Sequence, residues 1–290
     1  MPRGDMKFRK GKVYEALFLS DVHYLLNKKI KLHSHRELFQ MLDRLIKRRV
    51  RFNNIYLVGD IIESWYFSAS VQFRKSKKRF DKLFDRLDAV AARPDRKFYI
   101  VGNHDTTAFS MELAPEIARY LRERNWAIGE KVETPEMIVV HGHQGQYTRF
   151  NWMLSILVVR ALHALARIKP SLFQTAEDFY DRHLNRENPR TAAEKLEYYR
   201  RLSKRVNQGK RLMISGHTHG FLCLPELNII NTGDWVGSRT FVVQRRKRRG
   251  DRFTGLRMMG RKTYRKEFVY RRRPIISSDG RHEDPTPRIS

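Results

Sequence analysis

The sequence predicts an α/β fold, and two features of the chain support this prediction. Five short runs of mostly β-branched, aromatic and leucine residues each end in a polar cluster, which is typical of buried strands followed by functional loops. Amphipathic segments with helical spacing separate the early runs. Strands that alternate with helices form α/β sheets, and sites in such folds lie at the carboxyl ends of the strands.

The predicted elements follow one another in a regular order. Strands are expected over residues 16–19, 55–58, 97–101, 137–140 and 212–214, and two later strands over residues 228–232 and 239–244. Helices are expected over residues 37–49 and 80–91. The apolar face of the first helix consists of Leu38, Met41, Leu42, Leu45 and Ile46, and that of the second of Phe80, Leu83, Phe84, Leu87 and Val90.

Residues 147–206 interrupt this alternation, because they contain no strand-like run. An apolar segment comes first, and helix-forming residues over 191–205 follow it. We therefore predict a helical insertion. It begins shortly after His141 and ends before His217, so it is expected to lie near the site formed by the strand ends.

The predicted domain covers residues 13–245 and is flanked by two basic segments. Residues 1–12 form a basic N-terminal extension, and residues 246–290 form a basic C-terminal tail. The tail is expected to be partly disordered, beginning after Pro274, although residues 268–270 are suited to one edge strand.

The charge of the chain predicts affinity for polyanions. Lys and Arg number 59 against 31 Asp and Glu, which gives a formal net charge of +28. Nucleic acid, an anionic membrane surface and a phosphorylated substrate are the partner classes that fit. We expect an anionic phosphorylated substrate and allow for peripheral contact with an anionic membrane. Nucleic acid is not favoured, because few aromatic residues accompany the basic runs.

Neither a signal peptide nor a membrane-spanning helix is expected. Residues 13–20 contain Glu15 and are too short for a signal-peptide core. The most apolar segment, residues 152–166, is interrupted by Arg160. The single cysteine, Cys223, cannot form an internal disulfide and is expected to be a buried apolar residue. The predicted location is cytoplasmic, or peripheral at the inner face of the membrane.

Seven residues at the strand ends are candidate metal ligands. They are Asp21, His23, Asp60, Asn103, His141, His217 and His219. Carboxylate, amide and imidazole ligands together suit Mn, Fe or Zn. Seven ligands are too many for one tetrahedral ion, whereas two ions that share one carboxylate would use them all. Two ions about 3.5–4 Å apart hold phosphoryl oxygens and activate a water, which is the chemistry of phosphoester hydrolysis.

Local spacing suggests how the ions are held. In an extended segment, side chains two residues apart lie on the same side. Asp21 and His23 are expected to share one ion for this reason, and so are His217 and His219. Taken singly, each of these residues is more often a cap or a hydrogen-bonded polar residue. Together, in this order, they predict a metal centre.

These motifs resemble those of a known family. Asp-x-His, Gly-Asp, Gly-Asn-His-Asp, a separate His and Gly-His-x-His, spread over about residues 14–245, are similar to the signature of calcineurin-like metallophosphoesterases. The resemblance implies a four-layer αββα sandwich with two divalent ions, most often Mn, bridged by Asp60. It implies attack by a bridging hydroxide. It assigns one ion to Asp21, His23 and His219, and the other to Asn103, His141 and His217.

The resemblance also assigns the candidate catalytic residues. His104 corresponds to a general acid that protonates the leaving oxygen, a task that suits imidazole because it exchanges protons near neutral pH. Asp105 is the candidate orienter of His104, with capping of the next helix as the alternative. His143 either supports a neighbouring ligand or is a surface histidine, and both alternatives remain open.

A narrower resemblance concerns the substrate. Residues 59–65, the helical insertion and residues 231–235 are similar to the UDP-2,3-diacylglucosamine diphosphatases, which cleave a pyrophosphate in lipid A biosynthesis. The sequence differs from that branch at His104 and at His143, where the branch has Arg and Asp. Candidate lipid contacts in the insertion are Trp152, Leu154, Ile156, Arg149 and Arg160, and the alternative is that this segment only packs on the domain.

The predicted function is therefore hydrolysis of a phosphoester or pyrophosphate bond, on a lipid-linked or nucleotide-linked diphosphate. A metal-dependent nuclease or general phosphoesterase is the first alternative, because basic runs also bind nucleic-acid phosphates. A non-catalytic protein-binding scaffold of the same fold is the second. It is less favoured, because every ligand position is filled.

Overall fold

The computed structural model describes residues 7–24, 33–64, 69–107, 112–145, 157–158, 161, 191–207, 211–247, 250–259, 263–272 and 287–290. Two β-sheets stack face to face, and helices cover both outer faces. The α/β class and the four-layer αββα arrangement are confirmed. The candidate lipid contacts fall outside the described residues, as does most of the predicted insertion.

The first sheet has seven strands in the order β12-β11-β10-β1-β2-β3-β4. Strands β1 to β4 are parallel, and β10 to β12 are antiparallel to their neighbours. The strands are β1 (Val13–Leu19), β2 (Arg51–Val58), β3 (Lys97–Ile100), β4 (Trp126–Gly129), β10 (Thr240–Lys247), β11 (Gly250–Met259) and β12 (Thr263–Arg272).

The second sheet has six strands in the order β13-β5-β6-β7-β9-β8. Its central strands β6, β7 and β9 are parallel, so their carboxyl ends point the same way. The strands are β5 (Lys131–Glu133), β6 (Met137–Val140), β7 (Leu212–Ser215), β8 (Leu222–Leu224), β9 (Ile229–Asn231) and β13 (Arg288–Ile289).

Within the described residues, four α-helices complete the layers. Helices α1 (His33–Lys47), α2 (Ala69–Val90) and α3 (Pro115–Glu123) cover the first sheet, and α4 (Ala192–Val206) covers the second. Helix α4 begins with a capping box, in which Thr191 and Glu194 satisfy each other's backbone N–H groups. Both predicted helical faces are buried in the core, apart from Ile46 of α1, which is partly buried against it.

Alternation along β1 explains how the core is divided. Leu17 and Leu19 point toward the helices, whereas Ala16 and Phe18 point into the space between the sheets. In that space the ring of Tyr56 stacks between Phe18 and Phe98, with centroid distances of 4.7 and 4.9 Å. These apolar layers hold the strand ends of both sheets at one end of the sandwich.

The predicted C-terminal tail begins too early, because the first sheet continues past residue 245. Strand β10 runs to Lys247, and β11 and β12 follow it as an antiparallel extension. The predicted edge strand at residues 268–270 is confirmed as part of β12. Apolar residues alternate with the basic ones and pack on the core, as Phe253 and Leu256 show. The disorder predicted after Pro274 falls largely on residues outside the described part of the chain.

The N-terminal extension is also partly built into the domain. Phe8 is buried against the rings of Tyr14, Phe52 and Tyr264.

Among the described helices, none is long and apolar enough to cross a membrane.

Candidate metal centre

All seven predicted ligands lie at the end of the sandwich where β1, β2, β3, β6 and β7 finish. Asp21, Asp60 and Asn103 follow strands of the first sheet, and His141 and His217 follow strands of the second. These five side chains are buried, from 0% exposed for Asp21 to 9% for His217. Neither sheet alone carries the set, so the site exists only where the two sheets meet.

The ligand atoms form two groups, each within 4.8 Å. One consists of Asp21, His23 and His219, and the other of Asp60, His141 and His217. In the first group Nε2 of His219 lies 3.2 Å from Oδ1 of Asp21. In the second, Nε2 of His141 lies 3.0 Å from Oδ2 of Asp60. Such separations are those of neighbouring ligands on one ion, given metal–ligand distances of about 2.0–2.2 Å.

Asp60 lies between the two groups. Its Oδ2 is 3.0 Å from Nε2 of His141 and 3.9 Å from Nε2 of His23. Oδ1 of Asn103 lies 3.1 Å from Nε2 of His141, so Asn103 belongs to the second group. This arrangement suits two cations that share the Asp60 carboxylate.

The expectation that neighbouring pairs share one ion holds for Asp21 and His23 but is wrong for His217 and His219. Those two histidines belong to different groups. The backbone here is left-handed rather than extended, with φ of +69° at His217 and +52° at His219, so the extended geometry on which the expectation rested is absent. Asp21, His23 and Asp60 also have positive φ, between +45° and +53°. Such conformations cost energy in non-glycine residues and are concentrated at functional sites.

Two glycines permit the close packing of the ligand loops. A Cβ at Gly59 would overlap the ring of His141, and the φ of Gly59 is +81°. A Cβ at Gly102 would overlap the backbone and carboxylate of Asp60. Each glycine lets one ligand loop lie directly against another.

Hydrogen bonds orient the ligand atoms. The Nδ1–H of His141 donates to the carbonyl oxygen of Val58 at 2.9 Å, which leaves Nε2 for an ion. The backbone N–H of His104 donates to Oδ1 of Asp60 at 2.7 Å, and that of His217 donates to Asp21 at 3.1 Å. The carboxylates are therefore held in place by amides of neighbouring loops.

The predicted roles of Asp105 are both wrong. Its carboxylate accepts hydrogen bonds of 2.8 Å from the backbone N–H groups of Asp60, Ile62 and Gly102 and from the hydroxyl of Tyr99. It fixes the loops after β2 and β3, and it does not hold the His104 ring. The next helix, α3, has Ala114 as its N-cap, so Asp105 does not cap it. Burial, together with the charge of Asp60, raises the pKa of Asp105 to about 6.

Glu63 holds the His104 ring instead, a role that was not predicted for it. Its Oε2 accepts from Nδ1 of His104 at 2.8 Å and from Nδ1 of His23 at 2.9 Å. Burial opposes its ionisation, but His104 and His23 hold the pKa of Glu63 down to about 2. The available signal was a lone carboxylate, three residues after Asp60, in an otherwise apolar stretch.

The electrostatics of the two groups favour cations. Burial disfavours the charged form of His23, yet the hydrogen bond and charge of Glu63 raise its pKa to about 10. Burial likewise opposes charge on His141, and Asp60 raises its pKa to about 9. In both cases the neighbouring carboxylate stabilises the positively charged form of the imidazole. Nε2 of His23 is buried without a hydrogen-bond partner among the described residues, which fits a ligand atom aimed at a metal ion.

His143 is buried, at 4% exposure, so its surface alternative is wrong. Its ring centroid lies 5.6 Å from that of His141 and 6.4 Å from that of His217. Burial, aided by the charge of His141, lowers the pKa of His143 to about 3. It therefore packs beside two ligands as a neutral ring.

Helix α4 packs against the loops that follow β6 and β7 of the second sheet. The hydroxyl of Tyr198 donates to the carbonyl oxygen of Gly142 at 2.6 Å. The hydroxyl of Tyr199 lies 2.6 Å from Oγ1 of Thr218 and accepts from Asn231. For the described end of the insertion, the expected position near the site is confirmed.

Within the described part of the chain, three imidazoles of the site are partly exposed. The side chain of His219 is 48% exposed, His104 is 20% exposed and His23 is 13% exposed. The side chain of His104 is therefore partly accessible, as a proton donor for a leaving group must be.

A known protein family matches most of the sequence of this chain. Residues 15–221 match the sequence profile of the calcineurin-like phosphoesterases. No curated protein sequence is similar enough to count as a match. Vacuolar protein sorting 29 from Cryptosporidium parvum superposes with a TM-score of 0.43 at 13% identity, over 89% of this chain and 97% of that one. A dimetal phosphatase from Danio rerio gives 0.41 at 11% identity, over 89% and 98%.

Proposed function

From the premise that this chain belongs to the calcineurin-like phosphoesterase family, we propose that it hydrolyses phosphoester or pyrophosphate bonds at a dinuclear metal centre. The observation that carries the proposal is the convergence of two ligand groups on the Asp60 carboxylate. Asp21, His23 and His219 would hold one ion, and Asn103, His141 and His217 the other, with Asp60 between them. When bound, two such ions hold phosphoryl oxygens and supply a nucleophile from water at neutral pH.

The residues of the chain then perform the proton transfer. Because Nδ1–H of His104 donates to Glu63, its Nε2 is the atom that can donate to a leaving oxygen. The side chain of His104 is partly exposed, and its ring centroid is 4.6 Å from that of His23. Glu63 would thus orient a ligand and the acid together.

For the metal we propose Mn, with Fe or Zn as alternatives, because the ligand set mixes carboxylate, amide and imidazole. For the substrate we propose a lipid-linked or nucleotide-linked diphosphate such as UDP-2,3-diacylglucosamine. The run from Gly59 to Trp65 and the packing of α4 beneath the site support this proposal. Peripheral contact with an anionic membrane belongs to the lipid-linked form of it.

A direct comparison of substrates tests the proposal. The protein, supplied with Mn, is assayed on UDP-2,3-diacylglucosamine, short single- and double-stranded DNA, and p-nitrophenyl phosphate esters. We expect hydrolysis of the diphosphate to be the fastest. Rapid DNA cleavage without action on the lipid nucleotide would make the nuclease alternative the better description.

The scaffold alternative has its own test. We expect Mn-dependent turnover of bis-p-nitrophenyl phosphate that is lost in Asp60→Ala and in Asn103→Ala. A folded wild-type protein that binds metal but shows no turnover of any of these esters would favour the scaffold.

A further inference from the structure

The outer face of the first sheet carries three arginines side by side, far from the metal centre. Arg245 on β10 lies directly opposite Arg252 on β11, and Arg252 lies opposite Arg271 on β12. Directly opposite side chains have Cβ atoms about 4.5–5.5 Å apart. We name these three residues the arginine row. Phe253, the neighbour of Arg252, points into the space between the sheets, so the row points to the other face.

The surroundings of the row are also basic. The guanidinium of Arg245 lies 4.8 Å from the centre of the Tyr14 ring. Burial lowers the pKa of Arg245, and the charges of Arg252 and Arg9 add to this effect. Arg48, at the end of α1, donates from Nε to the carbonyl oxygen of Phe8 and so ties the basic N-terminal segment to this face.

Other arginine pairs on the same strands have acidic partners. In the adjacent row, Asp251 lies opposite Arg246, and Oδ1 of Asp251 is 3.8 Å from Nε of Arg246. Arg257 and Arg265 face each other, and Glu267 lies 3.0 Å from the first and 3.8 Å from the second. Within the described part of the chain, neither Arg252 nor Arg271 forms an ion pair with a carboxylate. Like charges directly opposite one another destabilise a sheet, so a bound anion would stabilise this row.

We propose that the arginine row binds the phosphodiester backbone of a nucleic acid, without regard to its sequence. A line of guanidinium groups matches a line of phosphates in charge, and each guanidinium can hold two phosphate oxygens. A bilayer fits less well, because interfacial binding also relies on inserted apolar side chains. Among the described residues the exposed large hydrophobic side chains are scattered, and none lies in the row.

The row and the metal centre lie at opposite ends of the sheet. Arg245 follows Gln244, which pairs with Ala16 near the start of β1, whereas Asp21 follows the end of that strand. Asp21 lies five residue positions beyond Ala16, a distance of about 17 Å in extended chain. Nucleic acid on the row therefore leaves the metal centre open, and the surface anchors the protein independently of its hydrolytic site.

The test compares two charge-matched double variants of the full chain. The first is Arg252→Gln with Arg271→Gln, and the control is Arg257→Gln with Arg265→Gln, which removes the same charge from the same strands. Binding of short fluorescent RNA and DNA is measured by anisotropy over a salt series without added metal. Thermal unfolding shows whether both variants are folded.

The row variant is expected to bind at least tenfold more weakly than wild type. Its slope of log K against log salt is expected to fall by about 1.4–1.8, which corresponds to two lost phosphate contacts. The control is expected to keep the wild-type slope. Equal weakening in both variants would overturn the proposal, because it would show an effect of net charge alone.

Two further measurements separate this surface from other binding modes. Asp60→Asn is expected to bind nucleic acid as wild type does; loss of binding in that variant would assign the contact to the metal centre and overturn the proposal. Vesicles of phosphatidylcholine with phosphatidylserine are tested beside the nucleic acids. Binding to these vesicles, and not to RNA or DNA, would overturn the proposal in favour of a membrane surface.

Discussion

At the residue scale, Glu63 is the side chain with the most consequence for the proposed reaction. One buried oxygen accepts hydrogen bonds from a candidate metal ligand, His23, and from the candidate acid, His104. A carboxylate that accepts from both Nδ1–H groups fixes the orientation of both rings. Nε2 of His23 then faces the metal site, and Nε2 of His104, when it carries a proton, can donate it.

Replacement of Glu63 by Gln is expected to damage both tasks. Metal affinity should fall about 10–100-fold, which is typical when the partner of a ligand histidine is lost. Turnover of bis-p-nitrophenyl phosphate at saturating Mn should fall as well. Calorimetric titration with Mn and steady-state kinetics measure the two effects, with Glu123→Gln, an exposed carboxylate at the end of α3, as the control. Unchanged affinity and turnover in Glu63→Gln would contradict this role.

His104→Ala is expected to separate proton donation from metal binding. Turnover should fall about 10²–10⁴-fold, the usual contribution of a general acid, while metal content stays largely intact. The loss should be smaller for p-nitrophenyl esters than for alkyl esters, because p-nitrophenolate departs without a proton. Metal analysis and rates on both ester types check this. Loss of both metals in the variant would overturn the assignment of His104 as an acid.

At the element scale, the turns after the strands position the candidate ligands through close contacts with one another. The turn after β2 passes so close to that after β6 that Gly59 has no room for a Cβ beside His141. Asp105 ties the turns after β2 and β3 together through three backbone amides. Helix α4 then supports the turns of the second sheet through two tyrosine hydroxyls.

Gly59→Ala is expected to displace His141 and to weaken metal binding. Gly11→Ala is a matched control, because Gly11 also has a positive φ, of +70°, but has open space around a Cβ. Both variants should lose stability through backbone strain, of order 1–3 kcal/mol. Only Gly59→Ala should also lose metal affinity, as measured by calorimetry. Equal metal affinity in the two variants would show that the loop packing does not position His141.

At the scale of the whole molecule, the sandwich assembles a site that neither sheet contains. Five candidate ligands have left-handed backbones, and buried carboxylates face buried imidazoles across the two sheets. Such an arrangement is costly without cations, so metal binding and folding should be coupled.

The pKa shifts set the pH dependence of this coupling. The pKa of His23 is raised to about 10 and that of His141 to about 9, so below these values protons compete with metal ions for Nε2. Apparent Mn affinity should therefore rise with pH up to about 9–10, and binding at pH 7 should release protons. Calorimetry at pH 7 in buffers of different ionisation enthalpy measures this release. Affinity that does not change between pH 6.5 and 9 would contradict it.

The thermal stability of the protein should also depend on pH through the raised pKa values of His23 and His141. In the metal-free protein the raised pKa values stabilise the fold below about pH 6.5, the ordinary value of imidazole, and this contribution is lost as the pH rises through about 9 and 10. Metal binding becomes stronger over the same range. The difference in Tm between metal-loaded and metal-free protein should therefore widen from pH 6.5 to 9, which differential scanning calorimetry can check. A constant difference would show that these histidines are not linked to the metal.

The sequence by itself determined the α/β class, the main strands and the convergence of Asp21, Asp60, Asn103 and the histidines at one end of the sheets. Strand ends are local features, because an apolar run and the polar residue that follows it are adjacent in the chain. Parallel pairing then brings such ends together within each sheet. The stacking of the two sheets brings both sets of ends to one site. The family followed from the same motifs.

Only the tertiary structure decided which partner each polar side chain takes. Glu63 rather than Asp105 holds His104, and His217 and His219 separate into two groups. The tail residues also join the first sheet as β11 and β12. These outcomes depend on left-handed turns and on contacts between loops about 40 residues or more apart, whereas sequence spacing constrains only the side chains of one local segment.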